Sequence, residues 1–358
     1  MENKIKNIIA AAVVLFAAVT APVFAGGDLP RYAPPGTSLI LSPNLAKMTG
    51  TKVFKAFRKT IVFEDLVREN QAAGVDIDKV LRDGDICLFF DLNAFIAGKG
   101  VEDTVIYRGS QAEALFKKRL KKAEKQIDEA KKKVAQSGKG FGAAVPRLST
   151  EEVDGRPAFV ISGERSYRIE LMADGNTIQW SEAVDRAKLI TTPLKKNADT
   201  ELTREVDSSA LLSIVWKANI PKELFKEDGS TPVMFFFKNL MIGLNFATLN
   251  VRDSGEFLEV RLTGRYDSED AAKTARESLN SLREFFKSHL RERDPEGAAI
   301  FESIAISCEG KIVNAMLKYR QDELAASIEK MDKKAREQRQ KGKAPKKNRG
   351  SEPPAAKK

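Results

Sequence analysis

The sequence predicts an α+β fold of two similar, duplicated units, each an antiparallel sheet carrying helices, with one long basic helix and a disordered basic C-terminal tail. Three observations lead there. Short apolar runs of strand length alternate with segments of helical period, the order of elements starts again near residue 208, and the excess positive charge is gathered after residue 332.

The N-terminus has the layout of a secretory signal. Lys4 and Lys6 precede an apolar run from Ile8 to Val19, and the small residues Ala21, Val23 and Ala25 follow, the order of charged, apolar and cleavage regions. Cleavage after Ala25 leaves Gly26 as the first mature residue. The apolar run is broken by Thr20 and Pro22 and falls short of the ~20 residues that span a bilayer. Residues 1–25 are therefore expected to be removed, and the mature chain to be exported, periplasmic or extracellular, and soluble.

The first unit is placed at 26–190. After Pro30, Pro34 and Pro35, Ser38 to Leu41 reads as a strand, and a helix carrying Val53, Phe54, Phe57 and Ile61 follows. Strands come next around Ile86 to Leu92 and Thr104 to Tyr107. Ser110, with Glu113 three residues on, opens the long helix, whose apolar positions Phe116, Leu120, Ala123, Ile127, Ala130 and Val134 step by four and three. From Gln111 to Ala135 it holds nine basic against four acidic residues, and at 1.5 Å per residue it extends ~37 Å. The glycines from Ser137 to Ala143 stop it. Strands near Ala158 to Ile161, Tyr167 to Met172 and Thr177 to Trp180, then a helix near Ala183 to Leu189, complete the unit.

Residues 191–207 are polar and without period, which predicts a linker. The second unit, 208–332, opens with a strand at Ala210 to Trp216, a hairpin of Leu244 to Val251 with Phe257 to Leu262, and a helix capped by Asp267 or Ser268 that carries Ala275, Leu279, Leu282, Phe286 and Leu290. Strands at Ile304 to Cys308 and Ile312 to Leu317 precede a last helix with Leu324, Ile328, Met331 and Ala335 in register. The two openings match at an offset of 175, Ser38-Leu39-Ile40-Leu41 with Ser213-Ile214-Val215-Trp216, Asn44-Leu45 with Asn219-Ile220 and Lys47 with Lys222. That repetition predicts an internal duplication.

Of the chain's net charge of +10, residues 333–358 hold +9 and the signal segment +1, so the body from 26 to 332 is neutral. The tail, with Gly342, Pro345, Gly350, Pro353 and Pro354 among its lysines, cannot bury a core and is expected to be disordered. Lys341, Lys343, Lys346, Lys347 and Arg349 of the tail, with Lys117, Lys121 and Lys125 of the long helix, are the candidate anion-binding residues. Their expected counterpart is an anionic envelope polymer, a membrane surface or an acidic protein; export argues against nucleic acid.

Catalytic patterns are sparse. His289 is the only histidine and sits near a helix end, where a cation is favourable; a His-based zinc site is excluded by count. Two acidic clusters, Asp76, Asp78, Asp83 and Asp85, then Glu151, Glu152 and Asp154, match no metal-loop spacing and read as loop carboxylates. Gly138 to Gly142 follows a helix and lacks the terminal Gly-Lys-Ser/Thr of a phosphate loop. Asn44 and Asn219 read as helix caps. Cys87 and Cys308 lie in predicted strands and are either bridged to each other or two unpaired thiols. No metal or cofactor is expected. The leading functional expectation is an exported, non-catalytic binding or scaffolding protein at an anionic surface; the alternatives are a hydrolase using carboxylates alone and a homo-oligomer assembled through the long helix.

Overall fold

The computed structural model describes residues 29–34, 36–93, 103–137, 146–153, 156–162, 166–172, 174–181, 200–220 and 232–343. The predicted signal segment, the helix near 183–189, Asp154 and the loop at 138–142 lie outside them. The described strands form one mixed-order antiparallel sheet of twelve, with helices packed on it. In the first half, a 3₁₀ turn at Leu29–Tyr32 leads to β1 (Leu39–Pro43), four short helices α1 (Leu45–Gly50), α2 (Lys52–Phe57), α3 (Ile61–Gln71) and α4 (Ile77–Asp83), then β2 (Asp85–Phe90), β3 (Asp103–Arg108), α5 (Ala112–Ser137), β4 (Arg147–Val153), β5 (Arg156–Ser162), β6 (Tyr167–Leu171) and β7 (Thr177–Ser181). The rest is α6 (Thr200–Arg204), β8 (Leu212–Lys217), α7 (Pro232–Met241), β9 (Leu244–Asp253), β10 (Phe257–Tyr266), α8 (Glu269–Leu290), α9 (Pro295–Glu302), β11 (Ala305–Glu309), β12 (Ile312–Arg320) and α10 (Gln321–Lys343).

The sheet is built outward from a seam. β1 pairs antiparallel with β8, Leu39 opposite Trp216, Ile40 opposite Val215 and Leu41 opposite Ile214. From there the order is β1-β2-β3-β7-β6-β5-β4 one way and β8-β9-β10-β12-β11 the other. In each half the first three strands run outward in chain order and the remaining ones return inward, after the long helix α5 or α8. The halves therefore share one sheet instead of holding one each.

Alternation along the strands sorts side chains to two faces. Ile86 and Leu88 of β2 enter the large core beneath α1 to α5, whereas Cys87 and Phe89 between them enter a smaller core with Leu29 and Leu202. Leu240 and Met241 of α7 with Ala272, Ala275 and Leu279 of α8 cover Trp216, Tyr266 and Val313 on the first of these faces. Long helices thus occupy one face, and the 3₁₀ turn and α6 lie on the other. Gly243 joins α7 to β9 at φ 73°, and a Cβ there would lie 2.5 Å from Asp267 Oδ1, so the turn needs glycine.

The predicted helix through Val53 and Ile61 is broken because three polar side chains each start a new helix. Thr51, Thr60 and Asp76 accept hydrogen bonds from the amides of Phe54, Phe63 and Lys79, satisfying first-turn donors. β4 replaces the predicted loop at Glu151 and Glu152, which pair with Ala158 and Pro157 in the hairpin with β5. An edge strand needs few apolar residues, and here Leu148 is the one packed against the core. A buried polar group ties this hairpin down: Arg168 is fully buried and donates to Glu151 Oε2 at 2.7 Å and to Glu170 Oε2, which also accepts from Gln179 Nε2 at 2.9 Å. Pairing Arg168 with two carboxylates, one of them also held by Gln179, offsets the cost of burying its charge.

The C-terminal tail begins later than predicted. α10 runs on to Lys343, through eleven residues assigned to disorder, because its docking face continues as ion pairs where the apolar stripe ends. Ile328 is buried, but Met331 and Ala335 are exposed, and the next turns approach α3 through Asp332, Arg336 and Arg339. Asp332 accepts from the Ile61 amide at 2.7 Å, Arg336 reaches Glu64 and Asp332 at 2.6 Å each, and Arg339 reaches Asp65 at 3.0 Å. Glu64 and Asp332 hold the Arg336 guanidinium above its ordinary pKa. Removing residues 344–358 is therefore expected to leave the melting temperature unchanged, whereas ending the chain at Asp332 lowers it; differential scanning calorimetry of the two truncations checks this.

Candidate functional site

At one end of the seam, where β1 begins and β8 finishes, the described residues line a cleft of about 650 Å³. Ala33, Pro34, Gly36, Thr37, Ser38 and Asn93 close it from the first half, and Glu201, Leu202, Lys217, Asn219, Asn245, Phe246 and Arg265 from the second. Strand pairing makes this possible, because Lys217 stands opposite Phe246, and Phe246 opposite Arg265, across β8, β9 and β10. Ligand sites favour such junctions, and the volume lies within the ~300–1,000 Å³ of small-ligand pockets.

Asn93 organises the rim. Its Oδ1 accepts from Trp216 Nε1 and from the Asn219 amide at 3.2 Å each, its Nδ2 donates to the Lys217 carbonyl at 3.1 Å, and its own amide donates to Ser38 Oγ at 3.1 Å. The two cations of the lining each meet an acid. Lys217 Nζ lies 3.1 Å from Glu201, and Arg265, whose guanidinium covers the Phe246 ring at 4.3 Å, lies 3.0 Å from Glu205. Glu201 is the single carboxylate lining the cleft among the described residues. The arrangement suits hydrogen bonding to a bound molecule.

The opposite end of the seam is fastened instead of hollow. Lys47 Nζ donates to the carbonyls of Ser208 and Ser209 at 3.3 and 3.1 Å, and Asn44 caps α1 as predicted. Asp207 accepts from Arg252 Nε and Nη2 at 2.8 and 2.6 Å and from Ser209 Oγ at 2.5 Å.

The sequence-predicted residues are scattered over the fold. Lys117, Lys121 and Lys125 lie one turn apart on the exposed side of α5; Lys117 pairs with Glu113 at 2.6 Å and Lys125 with Glu129 at 3.8 Å. Two of the nine basic residues of this helix turn inward. Lys118 donates to Asn70 Oδ1 at 2.7 Å, and Arg119 lies 3.9 Å over the Trp180 ring, its pKa pushed down to about 10 by burial. Lys341 and Lys343 fall in the last turns of α10; Lys346, Lys347 and Arg349 are outside the described residues. Asp76 caps α4, Asp78 pairs with Arg58 at 2.6 Å, and Asp83 is held below its ordinary pKa by Arg82. His289 stacks on Phe285 in the last turn of α8.

Cys87 and Cys308 are both free, so of the two alternatives the bridge is not formed. Six inter-strand steps separate β2 from β11, ~29 Å at 4.8 Å per step, and the two thiols enter cores on opposite faces. Burial pushes the Cys87 thiol above its ordinary pKa, which leaves it unreactive.

Sequence reasoning missed the cleft residues. Ser38 and Asn219 stand out through the repeat and Pro34 through the proline-rich entry; Lys217, Asn245 and Arg265 are ordinary polar positions of alternating strands, and no local spacing links them.

No known protein family and no curated protein matches the chain. Among solved structures, crystal form III of TP0453 aligns with a TM-score of 0.41 at 10% identity, covering 84% of this chain and 97% of that one. Crystal forms IV and I give TM-scores of 0.37 at 10% identity, covering 85% and 86% of this chain and 100% and 98% of theirs. Likeness this loose carries neither fold detail nor function across. Among the described residues no helix is long and apolar enough to cross a membrane.

Asp207 gives a pH dependence. Burial alone would raise its pKa, but Ser209 and Arg252 outweigh it and the net shift is downward. A depressed carboxylate stabilises the fold above its unfolded pKa of about 3.9 and loses that contribution as the pH falls through its lower folded value. Asp207→Asn is expected to be less stable at neutral pH and to lose less of its remaining stability on acidification, measured by urea denaturation between pH 7 and pH 3.

Proposed function

We propose that the protein is an exported binding module that attaches to an anionic envelope surface through the outer lysines of α5 and the basic C-terminal segment. One observation carries this reading: α3 gathers the two basic segments, which are more than 200 residues apart in sequence. Asn70 near the end of α3 holds Lys118 of α5, while Glu64 and Asp65 hold Arg336 and Arg339 of α10. Residues 65 and 70 are ~7.5 Å apart along a helix axis, so both basic elements belong to one helical layer. Lys121, Lys122, Lys131 and Lys132 are exposed and form no ion pair among the described residues. The N-terminal charge and hydropathy pattern supports export.

The cleft supports binding over the carboxylate hydrolase, since Glu201 has no second acid beside it in the lining and is neutralised by Lys217. The apolar stripe of α5 is spent within the chain, with Ala123 and Ile127 buried over the sheet, which weighs against assembly through that helix. The test uses mature protein and vesicles of phosphatidylglycerol in phosphatidylcholine. Lys117→Glu/Lys121→Glu/Lys125→Glu and truncation after Lys343 are each expected to weaken co-sedimentation at 0.1 M salt, and together to abolish it. At 1 M salt, where the Debye length falls to ~3 Å, wild type also releases. Undiminished binding by the combined variant refutes the reading.

The two halves are proposed to be copies of one unit, 26–190 and 208–332, joined by 191–207. The sequence offset that equates Ile40 with Val215 also equates Leu39 with Ile214 and Leu41 with Trp216, and these residues are cross-strand partners at the seam. A local two-fold axis through the Ile40–Val215 pair produces that relation, and the shared strand order on either side extends it. Two chains divided between residues 191 and 199 and expressed together are expected to co-purify with the circular dichroism of the intact protein; separate, unassociated halves would count against unit structure.

A further inference from the structure

We propose that the seam cleft binds a small, uncharged, polyhydroxylated molecule, a saccharide unit, through the side-chain amides of Asn219 and Asn245. The charge of the lining is balanced. Lys217 is paired with Glu201 and Arg265 with Glu205, so a charged ligand must compete with a partner already in place, which a neutral ligand does not. Apart from Arg265 Nη2, which is buried and makes the ion pair but no hydrogen bond, the remaining polar capacity is of the mixed kind. Asn219 contributes only its backbone amide to the rim and Asn245 only its backbone carbonyl, to Ala218, and no hydrogen bond among the described residues engages either side-chain amide.

A carboxamide offers two donors and an acceptor side by side, which matches neighbouring hydroxyl groups, each able to donate and accept. Asn219 follows the end of β8, and Asn245 is the residue passed over at the bulge of β9 between Leu244 and Phe246; the hydrogen bond from the Ala218 amide to the Asn245 carbonyl at 2.9 Å holds the two residues at the same end of the cleft. Asn93, which could otherwise compete for hydroxyls, is committed to Trp216, Lys217 and Ser38. Ala33, Pro34, Leu202 and Ala218 are buried behind the polar rim and give the cleft a packed apolar backing. The cleft belongs to the face of Leu202 and Phe246, opposite the helical layer of α3, α5 and α10, so this site is separate from the anionic-surface reading and does not depend on it.

The experiment is a ¹⁵N–¹H titration of the mature chain with glucose, N-acetylglucosamine, glucuronate and glucosamine. The neutral sugars are expected to shift the side-chain amide signals of Asn219 and Asn245 and the indole signal of Trp216, and to bind more tightly than either charged sugar. Asn219→Ala and Asn245→Ala are each expected to weaken binding about fivefold to tenfold, the size of one lost hydrogen bond. Both positions are exposed, and an unchanged melting temperature, with partial rescue by Asn245→Gln, separates lost contact from lost fold. Absence of shifts at the cleft with all four sugars, tighter binding of a charged sugar, or wild-type affinity in both alanine variants overturns the proposal. Vesicle binding of the same variants is expected to stay at the wild-type level; a joint loss would place both ligands on one surface and overturn it as well.

Discussion

The pairing of β1 with β8 is the contact on which the rest of the architecture depends. Every other strand neighbour belongs to its own half of the chain, so without this ladder there would be two separate sheets with four edges. Its central pair, Ile40 and Val215, is fully buried in the small core shared with Leu29, Phe89 and Leu202. The same ladder sets both ends of the seam, the fastening by Lys47 and Asp207 at one and the cleft at the other. One register thus fixes the core, the junction between halves and the shape of the candidate site.

Much of the fold was legible where local pattern and tertiary role agree. The apolar runs at Ile86, Val105 and Val215 are strands because they sit mid-sheet and are buried on both faces, which removes polar alternation and leaves an unmistakable run. Ser268 and its helix were readable because the cap and the apolar stripe act within one segment. β4 was not, since an edge strand can be polar on nearly all its positions. α10 shows the limit of the periodicity argument: its contact face drifts from Leu324 and Ile328 to Asp332 and Arg336, so a stripe defined by hydrophobicity points outward at Met331.

The site was far less legible. Counting charge along α5 gives nine cations, but burial turns Lys118 and Arg119 to structural use against Asn70 and Trp180, and acids one turn away hold Lys117 and Lys125. The acidic cluster around α4 dissolved in the same way, into a cap and ion pairs. The cleft draws on six separate stretches of chain, and its parts become neighbours only through strand order, which no single-segment pattern encodes. The repeat touched it at Ser38 and Asn219.

The position of α10 has a consequence for how the molecule can be made. Gln321, almost wholly buried, caps α2 at the Lys52 amide and at the same time holds Asp253 and the Gly255 carbonyl in the β9–β10 turn. Lys52, Ile61 and Glu64 find their partners 270, 271 and 272 residues further on. Contacts of such separation form late and slowly, and the earliest helices, though each capped locally by Asn44, Thr51, Thr60 or Asp76, gain these distant partners only when the end of the chain arrives. A polypeptide whose first strand waits for β8 and whose first helices wait for α10 can complete its fold only when nearly all of it has been made.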